Sequence, residues 1–472
     1  MVASAAGLTL FYLLYDRITR PPRSLRHIPR IGYFSYMKAL LQKVPNPLFS
    51  EKLILPLLEK KDSNGIYLRP APFGWTVCLT NPQAITQLLL RVDAFPKVDV
   101  VSGREGTLGV RFVRGPNLFF LNGARWKKQR KITNPAFRRS MPVHAFGVLA
   151  QKLIKEMDRT DLVVNIVDLM ALFALDSLGK AGFDFEFNAI ENPNNEWVAL
   201  YHSVMRGHTD AMFNFFPILD RKFLWLFPKR QKIHRDLTRF LEMLDDMIHR
   251  KRQTIEQGRT NSSLNENEKD LLTLLIEGEQ HGDGVLTDEE LKDVQEKARN
   301  EALKILGNDP VDIVPTVEET RRLEYIEMVI KETLRIYTPA SITTTRIATR
   351  DGDLDGTFIP KGSLVIVDMY NFHRSPDLWE DPERFDPDRF ASGVEGDKRS
   401  GNGNNWIPFG SGGRQCIGMN FSLAEQRVLI PMLLRKYTWT LPEDSMHKEC
   451  LLTNTLGVLT AEKLYIEFKR RY

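Results

Sequence analysis

The motif FGSGGRQCIG, residues 409–418, constrains this chain more than any other stretch. It sets one of only three cysteines among four glycines and an arginine, while Cys78 and Cys450 stand alone and far away. Three scattered cysteines form neither a disulfide framework nor a structural zinc site, both of which need several at short spacing. What remains is an exposed or ligating thiolate, or a small buried hydrophobe. The neighbours of Cys416 favour the thiolate. The apolar-faced pattern IGMNFSLAEQRVLIPMLLRKY comes directly after it, which predicts a helix whose N-terminus lies at or just after the thiol. The dipole and free amides of such a terminus stabilise an anion. Gly410, Gly412, Gly413 and Gly418 allow tight turning and close approach to a flat partner. Arg414, two residues before the cysteine, is placed to pair with an anion.

A thiolate, a flat partner and an anionic rim together describe haem held by cysteine, an axial ligand that pushes electron density onto iron. Here the chain resembles the cytochrome P-450 family. Phe409, Gly412, Arg414, Cys416 and Gly418 stand at the fixed positions of its haem-binding signature. The resemblance implies haem b as cofactor, Cys416 as axial iron ligand, Phe409 shielding the sulfur and Arg414 pairing with a haem propionate. Other family elements come in order. KETLR supplies Glu332 and Arg335, neighbours on one helix face, and FDPDRF supplies Arg389. The three match a structural charge cluster behind the haem. RWKKQRKITNPAF resembles the helix whose Trp126 and Arg130 reach a propionate, and Arg346 in TTTRIAT matches a further propionate partner. The likeness covers the chain from about residue 30, and DVQEKARNEALKIL gives it a fungal-like, microsomal character.

The net charge of +5 over 472 residues is too small and too dispersed for a dedicated nucleic-acid binder. No internal repeat appears, and the one low-complexity stretch, RTNSSLNENEKD at 259–270, reads as an exposed loop carrying the glycosylation-type triplet at Asn261. The run AAGLTLFYLLY at 5–15 is uncharged and is followed by Asp16 and five arginines at 17, 20, 23, 26 and 30. The fifteen residues up to Tyr15 would make a helix of only about 22 Å, short of a hydrocarbon core of about 30 Å. Residues 1–16 therefore read as a membrane anchor, with the bulk of the chain on the arginine-rich, cytoplasmic side. Residues 17–33, rich in proline and arginine, read as a stiff hinge. Residues 34–472 read as a single haem-binding catalytic domain.

Helical patterns dominate from about 140 to 337, as in DLTRFLEMLDDMIHRKRQTIEQG at 236–258 and RRLEYIEMVIKETLRIY at 321–337. Strand-like stretches are few: 65–80, 343–349, 362–371 and 463–468. The expected fold is mainly α with a small β portion (α+β), split between the chain's two ends.

One family element is missing. A long helix carrying a small-Gly-x-acid-Thr stretch should cross the haem between 292 and the KETLR helix. Instead, residues 272–292 resemble the family segment N-terminal to that helix, and residues 293–306 resemble the segment C-terminal to it. About thirty residues, ~45 Å of helix, are absent between Lys292 and Asp293. The GHTD stretch at 207–210, Glu319-Thr320 and Glu332-Thr333 offer no substitute, so no distal acid or alcohol is assigned. The resemblance implies a haem-thiolate monooxygenase at the endoplasmic reticulum, its catalytic domain cytoplasmic. It would take NADPH electrons through cytochrome P-450 reductase, with cytochrome b5 as an alternative donor. The basic run Lys127, Lys128, Arg130, Lys131, Arg138 and Arg139 would face the reductase. Its pocket walls would be residues 100–122, 211–218, 339–344 and 454–459, all apolar or small, which implies a lipophilic substrate. Two other readings stand beside it: an inactive splice or gene-model product, and a haem-thiolate protein with peroxide-driven or isomerase chemistry. The aromatics Phe213, Phe215, Phe216, Phe223, Trp225 and Phe227 read either as a membrane-dipping entrance or as core.

Overall fold

A computed structural model describes residues 12–256 and 288–472, apart from 14, 61–62, 114–116, 139–140, 160–161, 209, 392–404, 449, 456–457 and 462. The 259–270 loop, the segment 272–287 and most of the expected anchor lie outside the described residues. Among the described residues no helix is long and apolar enough to cross a membrane.

Seven helices position the site: α1 Pro82–Leu90, α2 Gly123–Arg138, α3 Val143–Met157, α4 Pro228–Glu256, α5 Asp288–Leu306, α6 Glu324–Ile336 and α7 Met419–Lys436. Their ends obey local chemistry. Asn81 caps α1 by accepting the Ala84 amide at 2.9 Å, with Pro82 in the first turn. The pattern over 321–337 forms α6, and a separate short helix, Val317–Arg321, precedes it. Thr316 and Glu319 start that short helix with a reciprocal capping box. On α6, Ile326, Ile330 and Leu334 are buried at spacings of four, as the sequence predicts.

The strands are short. β1 Ile66–Arg69 and β2 Thr76–Leu79 form a hairpin within the stretch predicted as strand at 65–80. β4 Arg346–Ile347 and β7 Leu364–Val367 complete a sheet of order β1-β2-β7-β4, in which β2 and β7 run parallel. Strands from the two ends of the chain thus share one sheet. The other strands are β3 Val163–Asn165, β5 Gly352–Leu354, β6 Thr357–Ile359, β8 Tyr437–Thr440 and β9 Tyr465–Arg470. They form β3-β9-β8 and the hairpin β5-β6. Of these five, only β9 coincides with a stretch the sequence marks as strand.

One core lies against the sheet through Ile66, Leu68, Val77, Leu79, Val365 and Val367. A second joins α3 to α7, and a third joins α5, α6 and α7 through Ala298, Ile330, Leu334 and Leu434. The segment expected as a hinge is docked on this body. Leu25, Ile28 and Ile31 are buried, and the Ile31 amide donates to the Leu68 carbonyl at 2.9 Å. Three apolar anchors and a strand-like contact override the stiffness expected of its prolines.

Candidate functional site

The loop before α7 closes on itself where the Cys416 amide donates to the Phe409 carbonyl at 2.8 Å. Gly410 and Gly412 have φ of +68° and +65°, the left-handed region that only glycine adopts freely. Gly413 and Gly418 do not use that freedom; Gly418 is the N-cap of α7 with φ −83°. Cys416 therefore lies two residues ahead of the cap, half-buried, and packs against the cluster of Phe409, Ile330, Leu334 and Leu423.

Cations gather beside this loop. Lys97 and Arg346 face each other across an isolated antiparallel bridge. The Arg346 guanidinium donates to the Phe95 carbonyl at 3.1 Å, and Lys97 Nζ to the Phe119 carbonyl at 2.6 Å. Arg414 donates to the Leu121 carbonyl at 2.7 Å and to Asn122 Oδ1 at 3.1 Å. It also lies over the Trp126 ring, 3.8 Å from the centroid. Asn122 ties the group together, since its Oδ1 accepts the Lys97 amide at 3.0 Å and its Nδ2 donates to the Lys97 carbonyl at 2.8 Å. All these acceptors are neutral. Among the described residues no carboxylate forms an ion pair with Lys97, Arg346 or Arg414.

The electrostatics register the imbalance. Burial, then repulsion from Arg414, Arg346 and Arg130, pushes Lys97 down to about 7, while Cys416 acts in the opposite sense. Arg346 falls to about 10 through burial. Arg414 falls to about 10 through burial and the nearby Arg346 and Arg130, with Asp93 opposing from beyond bonding range. Three cations held only by neutral acceptors, with Arg130 close by, call for an anionic partner carrying more than one charge. The donor set fits haem: one sulfur donor, an apolar wall at Phe409, and a cationic edge suited to two propionates.

Behind the loop, Glu332 and Arg335 are fully buried and form a forked pair at 2.7 and 2.8 Å. Arg389 approaches Glu332 Oε1 at 3.4 Å, and the Asp386 amide donates to the same oxygen at 2.9 Å. Arg335 also donates to the His373 carbonyl at 2.8 Å. The buried His373 ring is pushed down to about 3 by burial and the nearby Arg335 and Arg374, so it is neutral. Its Nε2 accepts the Ile407 amide at 2.9 Å. The charge cluster is thereby connected to the stretch of chain that leads into the Cys416 loop. Lys97, Asn122 and His373 carry no motif of their own, and only tertiary pairing brings them in.

The expected pocket walls meet in part. Ala340 bridges Val458, while Phe215 and Ile342 pack into one cluster with Tyr36 and Phe49. The aromatic group divides. Phe213 is buried 5.2 Å from Phe227, whereas Trp225 is 69 % and Phe216 48 % exposed. Neither Glu319 nor Thr333 is poised for proton delivery. Glu319 is engaged in its capping box, and the Thr333 hydroxyl bonds the Val329 carbonyl.

Comparison with known proteins decides the family. The model of the family described as Cytochrome P450 matches residues 73–294 and 290–468. The chain belongs to the cytochrome P450 family. Cytochrome P450 3A5 of Homo sapiens is 26% identical over 422 residues, 82% of this chain and 81% of that protein. The protein LUTEIN DEFICIENT 5, chloroplastic, of Arabidopsis thaliana is 27% identical over 365 residues. That match spans 70% of this chain and only 60% of the Arabidopsis protein. The crystal structure of the cytochrome P450DA haem domain shares the fold, with a TM-score of 0.72 over 94% of this chain and 98% of that one at 21% identity. Cytochrome P450 membership carries haem as cofactor and the enzyme class, an oxidoreductase of the monooxygenase type. The mainly α reading with a small β portion agrees with this fold.

Proposed function

We propose that Cys416 is the axial haem ligand of an NADPH-driven monooxygenase acting on a lipophilic substrate, and that this form of the chain is not competent for turnover. The site reading is carried by one observation: Lys97, Arg346 and Arg414 converge beside Cys416 with neutral acceptors alone. Bound there, haem supplies reductive activation of dioxygen and insertion of one oxygen atom into the substrate. The chain's own residues do the rest. Cys416 gives its sulfur as thiolate. Phe409 keeps water from that sulfur. Arg346, Arg414 and Arg130, with Trp126 bracing, hold the propionates, and Asn122 fixes Lys97 and Arg414 relative to each other. Gly412 and Gly418 shape the loop. Glu332, Arg335 and Arg389 lock the fold behind it. Residues 34–472 act as one catalytic domain, with walls at 100–122, 211–218, 339–344 and 454–459.

The electron donor in this reading is cytochrome P450 reductase, with cytochrome b5 as an alternative, and it docks on the exposed lysines 127, 128 and 131 of α2. Residues 1–16 anchor the chain at the endoplasmic reticulum with the domain in the cytoplasm.

The incompetence stems from the junction at Lys292 and Asp293. α5 runs continuously across it, and the two stretches matched by the family model meet at 290–294. Both observations support loss of a central helix with its flanks intact. Such a helix would bury about eight to ten large apolar side chains worth ~1.5–3 kcal/mol each. A net stability of about 5–15 kcal/mol leaves little margin for that loss. It also removes the residues that would pass protons at the distal face. The test is to express this chain beside a version with about thirty residues restored after Lys292, and to measure haem content and NADPH-dependent product. Turnover confined to the longer form supports the reading. Equal haem loading and turnover from both overturns it.

A further inference from the structure

Gln231, His234, Arg235 and Thr238 stand at i, i+3, i+4 and i+7 on α4, so they share one face near its start. With Trp225, and with Arg111 from the short helix Leu108–Val113, they line an open cavity of about 450 Å³. None of its lining residues belongs to the haem site, and none carries a carboxylate.

Hydrogen bonds pin both of the walls that face α4. Arg111 Nη1 donates to His234 Nδ1 at 2.8 Å and to the His234 carbonyl at 3.2 Å, while its Nη2 donates to Thr238 Oγ1 at 2.7 Å. Gln231 Nε2 donates to the Leu224 and Trp225 carbonyls at 3.2 and 3.1 Å. That fixes the turn from which the largely exposed Trp225 ring projects.

The charges around the cavity do not balance. A guanidinium only donates, so His234 Nδ1 accepts and its Nε2 carries the hydrogen, which it donates to Asp220 Oδ1 at 3.2 Å. The buried Asp220 carboxylate is taken by Arg230, whose Nε and Nη2 reach it at 2.7 Å each, and by the Leu108 amide at 3.0 Å. It compensates Arg230 behind the wall, not Arg111 within it. Three of the five N–H groups of Arg111 are used, which leaves one on Nε and one on Nη2. Arg235 is exposed and makes no hydrogen bond or ion pair with any described residue. The adjacent Asp236 is bonded instead by Lys232 at 2.8 Å and by Ser203. Two guanidiniums from two elements thus border one cavity with donors to spare, beside an open indole.

A carboxylate offers two oxygens in one plane and matches a single guanidinium fork. A phosphate monoester offers three terminal oxygens and close to two negative charges, so two guanidiniums can share it. An indole alongside suits the apolar body of such an ester.

We propose that this cavity binds a phosphate monoester of an apolar alcohol, with the phosphate shared by Arg111 and Arg235 and the apolar body on Trp225. The occupant bridges the helix Leu108–Val113, part of the expected 100–122 wall, to α4. A soluble ester and a lipid with a terminal phosphate both carry this head group.

Equilibrium dialysis of the full chain tests the site with 1-naphthyl phosphate, 1-naphthol and inorganic phosphate. Haemin is present throughout to compete for the cationic edge beside Cys416. The ester should bind about tenfold or more tighter than the alcohol, the discrimination expected of charge-assisted bonds. Arg235→Met should weaken the ester about tenfold and leave the alcohol unchanged. Arg235 bonds no described residue, so that variant keeps the fold. Arg235→Lys should retain part of the affinity, and Arg111→Met should lose at least as much as Arg235→Met. Trp225→Ala should weaken the ester and spare inorganic phosphate. Displacement of the ester by phosphatidic acid vesicles but not by phosphatidylglycerol vesicles supports the site with a lipid as its occupant. Displacement by neither supports it with a soluble ester. Equal displacement by both would overturn the preference for a monoester. Equal affinities for ester and alcohol, or undiminished ester binding in Arg235→Met and Arg111→Met, would overturn the site.

Discussion

Arg414 lies flat on Trp126, its guanidinium carbon 3.8 Å from the ring centroid, while two of its nitrogens are held by Leu121 and Asn122. The indole therefore acts through the arginine by fixing where its charge points. Cation–π contacts of this kind are worth about 0.5–2 kcal/mol. Trp126→Ala should accelerate haem loss to an apomyoglobin acceptor by roughly two- to thirtyfold, that energy range converted at 1.36 kcal/mol per tenfold. Trp126→Phe should restore most of the retention. Unchanged release from Trp126→Ala would mean that the stacking has no part in holding haem.

Cys416 should be the one cysteine that the haem spectrum depends on. In the reduced, carbon-monoxide-bound protein, Cys416→Ser should lose the thiolate-type absorption. Cys78→Ser and Cys450→Ser should keep it, because Cys78 is walled into β2 as a neutral thiol. A thiolate spectrum surviving in Cys416→Ser would refute the ligand assignment.

Glu332 and Arg389 should differ sharply although they belong to one cluster. Glu332 is fully buried and accepts from Arg335 and the Asp386 amide, so Glu332→Gln leaves the Arg335 charge uncompensated. Breaking such a pair costs about 3–5 kcal/mol. Arg389 only approaches Glu332, its Nε 3.4 Å away without a hydrogen bond, and Glu332 keeps its pairing with Arg335, so Arg389→Ala should cost less, roughly 1 kcal/mol. Denaturant midpoints for both variants measure this, and equal losses would contradict the burial argument.

Lys97 makes stability depend on pH in a direction set by its burial and its cationic neighbours. Its folded value of about 7 lies below the unfolded value of about 10.4. Between those limits the unfolded chain holds more protons, so the haem-free protein gains stability as pH rises from about 7 to about 10. Below about 7 both states carry the charge, and the folded one bears the repulsion in full. Lys97→Met should flatten this rise relative to wild type and increase stability at pH 6. Haem should flatten it too, because propionates favour the charged lysine, and haem uptake at pH 8 should consume a proton. Denaturation at four pH values with calorimetry in two buffers tests both, and parallel wild-type and Lys97→Met curves would refute the effect.

The residues of the site that are legible in the sequence are those whose partners are local. Cys416, Arg414 and Gly412 sit in one loop, and Glu332 and Arg335 are one helical turn apart, so spacing alone brings them together. Lys97 and Asn122 depend on a bridge between residue 97 and residue 346, and no periodicity carries that information. The same limit explains the strands. β9 alternates buried and exposed residues and can be read, but β5 and β6 are three residues each and leave too short a pattern. The 17–33 segment misleads because its prolines and arginines mask three apolar residues that decide its position.

The parallel pairing of β2 with β7 sets Cys78 beside Ile366, so residues early in the chain hydrogen-bond to residues near its end. During synthesis the β1–β2 hairpin must wait, with one edge bare, until residue 367 has left the ribosome. Until then Val77 and Leu79 have no sheet to cover them, and the core of Ile66, Leu68, Val365 and Val367 cannot assemble. The newborn chain therefore spends most of its translation with a sticky, half-built sheet.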